Sequence, residues 1–151
     1  QNSATFDQAA HHTLARRAAA ESMVLIKNEG GFLPLQPENA GTVAVIGRFA
    51  TNPRYQGSGS SQVVPTQLDN AYDELMAWLG GADNLTYADG YGEGEQTESG
   101  LLDEAVKQAQ AASVALVFVG LPGSFESEGS DRTHISLPES HNRLVEEVCK
   151  L

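Results

Sequence analysis

Cysteine is nearly absent from this 151-residue chain. Cys149 stands alone, so no internal disulfide can form and nothing calls for an oxidising compartment; the cytoplasm is slightly favoured. Basic residues are scarce as well. Nine Lys and Arg stand against 20 Asp and Glu, and the net charge of −11 works against nucleic acid and anionic membrane surfaces, whose phosphates would be repelled. No stretch approaches the roughly 18 consecutive apolar residues of a membrane-spanning helix. The opening "QNSATFDQAAHH" has neither the basic end nor the apolar run of a signal peptide. Repeats and low-complexity linkers are missing too. What is present, 40% apolar and 19% charged residues, is a globular balance, long enough for one domain over 1–151 with a real core.

The pattern along the chain alternates helix and strand. Thr5 and Gln8, three apart, fit a capping box before a helix from about Phe6 to Asn28. Its apolar face would carry Leu14, Ala15, Ala18, Ala19, Leu25 and Ile26, with Arg16, Arg17, Glu21 and Lys27 opposite. "TVAVIG", 42 to 47, is a short β-branched run that reads as a buried strand. A long polar loop spans 48 to 65. Thr66 and Asp69 open a second helix over "QLDNAYDELMAWLGG", and "NLTYADG" is a weaker strand. Residues 100 to 112 read as a third helix and "SVALVFVG" as the clearest strand, after which Ser136 and Glu139 cap a last helix with Pro138 in its first turn. Nearly apolar strands between helices predict an α/β fold, a three-layer α/β/α sandwich on a mostly parallel sheet with Rossmann-like alternation. The chain stops at Leu151 inside the helical pattern, so the sandwich is expected to be truncated at that end.

Ligands of open parallel sheets gather at the carboxyl ends of the strands. Two loops lie there. "GSGSS", 57 to 61, has the glycines of an oxyanion cradle, but they come ten residues after the strand, where a dinucleotide fingerprint would sit in the strand-to-helix turn, and no Walker lysine follows. "GSFESEGSDRTHISLPES", 123 to 140, places Glu126, Glu128 and Asp131 within six residues. Its spacing is not that of a calcium loop. Such a cluster is either a solvated loop or a catalytic carboxylate. His11 and His12 point about 100° apart on a helix and cannot share a metal. With His134 and His141, all four histidines are expected at the surface, and no metal site is predicted.

The runs "HHTLARRAAAESMVLIKNEGGFLPL", "VAVIGRFA", "GSGSSQVVP" and "VALVFVGLPGSFESEGSDRTHISLPES" together resemble the second domain of glycoside hydrolase family 3, the β-glucosidase-like enzymes. The likeness runs from about His11 to the end, in the family's order. It implies an N-terminal (β/α)₈ barrel, absent from this chain, that carries an aspartate nucleophile. The sandwich domain would lend that barrel a loop with the acid/base glutamate. Matching E-G-x-D-R to that loop makes Glu128 the acid/base, with Glu126 as the fallback because some members carry a shifted loop. Asp131 and Arg132 would hold the loop in shape through an ion pair. Ser58 matches a serine that hydrogen-bonds sugar hydroxyls, and Gly57 and Gly59 would permit close backbone approach.

The resemblance thus implies a retaining β-glycosidase, of the β-glucosidase type, acting on a β-linked glucoside or related sugar. It needs no cofactor, only carboxylates and water. The partner is its own barrel, and this fragment alone is expected to be inactive. The competing class is a non-catalytic α/β binding module for a nucleotide, a phosphate or a protein partner.

Overall fold

Val43, Ala44, Val45 and Ile46 are all fully buried in a computed structural model that describes residues 5–129 and 131–151. They form strand β1 (Val43–Ile46), the centre of a three-stranded sheet. Its neighbours are β2 (Leu85–Ala88) and β3 (Val114–Val117), in the order β2-β1-β3, and both pairings are parallel. Val43 faces Leu85 on one side and Val114 on the other, and Ile46 faces Ala88 and Val117.

The period of two along β1 builds two cores. Val43 and Val45 join Ala40, Ala50 and Leu85, packed by Tyr72, Leu75 and Met76 of helix α2 (Ala71–Trp78). Ala44 and Ile46 join Ala88, Tyr91, Ala105, Ala109 and Leu144, the last three from helices α3 (Ser99–Ala111) and α4 (Glu139–Val148). Helices therefore cover both faces, which is the α/β/α sandwich expected. Each large aliphatic side chain buried this way is worth about 1.5–3 kcal/mol. Truncating Ile46 to alanine, at the middle of the second core, would cost about 2–5 kcal/mol.

Several helix starts differ from the sequence expectation, each for a local reason. Asn70, rather than Thr66 or Asp69, caps α2, with its side chain accepting from the Asp73 N–H at 2.9 Å. Ser136 does not cap α4. Pro138 is the cap residue and makes no side-chain bond. The first turn is instead satisfied from afar: Ser140 N–H donates to the Glu95 carbonyl at 3.0 Å, and its hydroxyl donates to Gly94 at 3.4 Å.

The residues through Leu35, with Val64–Leu68, form a second compact unit. Its helix, α1 (Gln8–Ser22), is capped by Asp7, whose side chain accepts from Ala10 N–H at 3.0 Å, not by Thr5 with Gln8. It ends at Ser22, well short of Asn28. Met23 turns extended, the Ser22 hydroxyl bonds back to the Ala19 carbonyl at 2.9 Å, and the β-branched Val24 and Ile26 favour the extended chain. No residue of this helix is buried, and Leu14, Leu25 and Ile26 are all exposed.

Candidate active-site loops

The strand order puts the switch point between β1 and β3. From β1 the chain crosses to β2 on one side, then returns to β3 on the other. The loops leaving β1 and β3 at their carboxyl ends therefore face one another, the place where α/β sheets bind ligands. The strand exits themselves touch. Gly47 closes β1 at φ +115, and a Cβ there would overlap the Phe118 carbonyl oxygen, so only glycine fits.

Beneath the loops lies a buried aromatic group. The Tyr91 hydroxyl donates to the Phe118 carbonyl at 2.7 Å and accepts the Phe49 N–H at 3.3 Å, tying the two exits together. Burial pushes its pKa up to about 12, so it remains a donor at any working pH. His141 of α4 lies 3.7 Å from Tyr91 between ring centroids, and Phe49 packs edge-on against both. His141 is 2% exposed, which corrects the surface placement expected from sequence. Its Nδ1 accepts the Gly120 N–H at 3.2 Å, and burial holds its pKa below the usual 6.5. Its spacing to Leu144 and Val148 on α4 was the available signal: 141, 144 and 148 share one helical face. His11 and His134 are exposed, and His12 is half-buried.

Above this floor, Arg54 joins the two loops. Its Nη1 donates to the carbonyls of Leu121 and Pro122, both at 2.8 Å, and its Nη2 lies 3.5 Å from Ser58 Oγ and 3.4 Å from Glu126 Oε2. The planar guanidinium serves four groups at once, which an ammonium could not. Ser58 completes the clasp by donating to the Gly123 carbonyl at 3.4 Å.

Glu128 has a different partner. Its Oε2 accepts the Ser60 N–H at 3.0 Å and the Ser60 hydroxyl at 2.9 Å. These two donors hold its carboxyl below the usual carboxylate range. Gly59, at φ +97, lies directly beneath, and a Cβ on it would come within 2.5 Å of that same oxygen. In the "GSGSS" loop, Ser60 thus holds an oxyanion of the chain itself, the side chain of Glu128.

Two open hollows adjoin these loops, and Glu126 lines both. One, of about 660 Å³, is lined by Phe49, Arg54, Gly57, Phe118 and Glu126 among others. The other, of about 340 Å³, is lined by Ser58, Phe125, Glu126, Ser127, Asp131 and Arg132. The described residues contain no ion pair between Asp131 and Arg132; the ion pair on this loop is Arg54–Glu126. Nor do the described residues gather three His, Cys, Asp or Glu groups that could hold a metal ion, and none of their helices is long and apolar enough to cross a membrane. Arg54, Ser60, Tyr91 and His141 were not foreseen as site residues.

Known proteins are similar to this chain in sequence and in fold. The sequence model of the glycosyl hydrolase family 3 C-terminal domain matches residues 23–151. Thermostable beta-glucosidase B of Acetivibrio thermocellus is 51% identical across 100% of this chain, which covers 20% of that protein. An exo-alpha-(1->6)-L-arabinopyranosidase of Bifidobacterium longum is 42% identical over 95% of the chain and 20% of its own length. Among solved structures, the GH3 beta-glucosidase of Bifidobacterium adolescentis superposes with a TM-score of 0.87 at 38% identity, covering 99% of this chain and 21% of that one. The chain spans about a fifth of the length of the curated relatives it matches. It belongs to glycosyl hydrolase family 3, as the C-terminal α/β domain.

Proposed function

We propose that this chain is the second-domain segment of a retaining β-glycosidase, of the β-glucosidase type, and that it supplies the acid/base loop to a barrel active site. The names of its relatives support the class: a beta-glucosidase at 51% identity and an arabinopyranosidase at 42% both cleave glycosides by name. The observation that carries the reading is the different fate of the two glutamates. Glu126 is tied to the largely buried Arg54 guanidinium, whereas among the described residues Glu128 is held by neutral donors. Glu126 therefore shapes the loop, and Glu128 is the carboxyl available for chemistry.

The chemistry needs two carboxyl groups about 5–5.5 Å apart. An aspartate of the barrel would attack the anomeric carbon while protonated Glu128 gives its proton to the departing glycosidic oxygen. The resulting glycosyl ester is then opened by water, whose proton Glu128 takes back. Proximity to the nucleophile's carboxylate and burial against the barrel would both raise the Glu128 pKa for the first step. Ser58, with its long bonds to Gly123 and Arg54, would exchange them for a sugar hydroxyl, and Asp131 and Arg132 would wall the same hollow. The reaction calls for no cofactor. A phosphate or nucleotide module is disfavoured because Ser60 of that loop already holds the chain's own carboxylate.

Two results test this reading. Purified alone, the chain should not hydrolyse aryl β-glycosides, since it has no nucleophile. In the full-length enzyme, azide should restore turnover of Glu128→Ala by attacking the glycosyl ester, because azide needs no base to deprotonate it. Absence of rescue at position 128, or turnover by the isolated chain, would contradict it.

A further inference from the structure

We propose that Ser60 is a positioning residue for Glu128, whose N–H and hydroxyl together seat the carboxylate for the base step of the reaction. The inference deepens the reading just given and rests on it. Both donors fall on one oxygen, Oε2, at 3.0 and 2.9 Å. Oε1 carries no bond among the described residues, so the carboxylate is held by one oxygen and works with the other.

The loop is built for this seat. Gly59 takes φ +97, and a side chain there would fall within 2.5 Å of Glu128 Oε2 and 2.7 Å of its Cβ. Gly57, two residues earlier, meets nothing closer than Ser61 Oγ at 3.9 Å, so the tight fit is specific to the position beneath the carboxylate.

Two donors aimed at a carboxylate stabilise its ionised form. An acid/base residue must be protonated to expel the leaving group and ionised to activate water. Ser60 favours the second state, and the barrel's nucleophile carboxylate, once esterified, no longer opposes it. Ser60 therefore helps the residue change roles between half-reactions.

The test uses the full-length enzyme with Ser60→Ala and Ser60→Thr. The basic limb of the kcat/KM profile on a disaccharide reports loss of the acid's proton. Ser60→Ala should move that limb to higher pH, and Ser60→Thr, which keeps the hydroxyl, should return it. With an activated aryl glycoside, whose slow step is deglycosylation, Ser60→Ala should lower kcat, by less than the roughly 10²-fold lower bound for removing a general base. Azide should recover the loss. An unmoved basic limb, or the same shift in both variants, would overturn the role of Ser60. Failure of azide to rescue Glu128→Ala in parallel would instead overturn the functional reading, and this inference with it.

Discussion

His141 accepts the Gly120 N–H on its Nδ1 at 3.2 Å, from a position only 2% exposed. A buried imidazole thereby fixes the first turn of the chain after β3, three residues before the acidic loop begins. Replacing it with leucine keeps apolar bulk but leaves the Gly120 donor unpaired, at a cost of about 1–3 kcal/mol. His141→Asn, whose Oδ1 can stand where Nδ1 does, should recover part of that. Chemical denaturation of the three proteins measures it.

The same residue gives a pH dependence with a definite sign. Burial lowers the folded-state pKa of His141 below 6.5, so the unfolded chain binds the proton first as pH falls. Stability from this site is complete above about pH 6.5 and is lost as pH drops through the folded-state pKa. Denaturation midpoints should therefore decline across that window in the natural protein. His141→Asn should flatten the decline, and an equal decline in both would refute the assignment.

Gly59 and Gly57 offer a matched pair. Alanine at 59 must adopt φ near +97 and push against Glu128, whereas alanine at 57 makes only an ordinary contact with Ser61 Oγ at 3.9 Å. Backbone strain of this kind costs about 1–3 kcal/mol, and displacement of the carboxylate adds a catalytic loss. In the full-length enzyme, Gly59→Ala should reduce kcat/KM on disaccharides far more than Gly57→Ala.

Arg54 is expected to tolerate no conservative change. Lysine supplies charge but not the fork that reaches Leu121, Pro122, Ser58 and Glu126 together. Arg54→Lys and Arg54→Ala should thus weaken the enzyme similarly, without the azide rescue that marks loss of the acid/base. Rescue by azide in either would mean that Arg54 acts through Glu128 rather than through loop shape.

Much of this architecture was legible in the residues. The β-branched run at 43–46 and the apolar run at 114–117 announce strands by composition, and helices between them imply a parallel sheet. Helix ends were not legible, because several residues near each start can cap. Asp7 and Asn70 were chosen over Thr5, Thr66 and Asp69 by where the chain enters the helix, and α4 borrows acceptors from Gly94 and Glu95, more than 40 residues away. The positions of the two loops followed from the alternation of strands and helices. Their mutual contacts did not: Ser60 and Glu128 lie 68 residues apart, and only the β2-β1-β3 order brings them together. His141 was misplaced because a polar residue type outweighed its place on the apolar face of α4.

The central claim is that Glu128, not Glu126, protonates the leaving oxygen. Its most direct measurement is the leaving-group dependence of kcat/KM in full-length Glu128→Ala and Glu126→Ala. An activated phenolate departs with little protonic help and a sugar alkoxide needs it, a difference worth roughly 10²–10⁴-fold in general acid catalysis. Glu128→Ala should lose most of its activity on disaccharides while largely sparing activated aryl glycosides, and Glu126→Ala should affect both substrates modestly and alike. Selective loss at position 126 instead, or at neither position, would contradict the account.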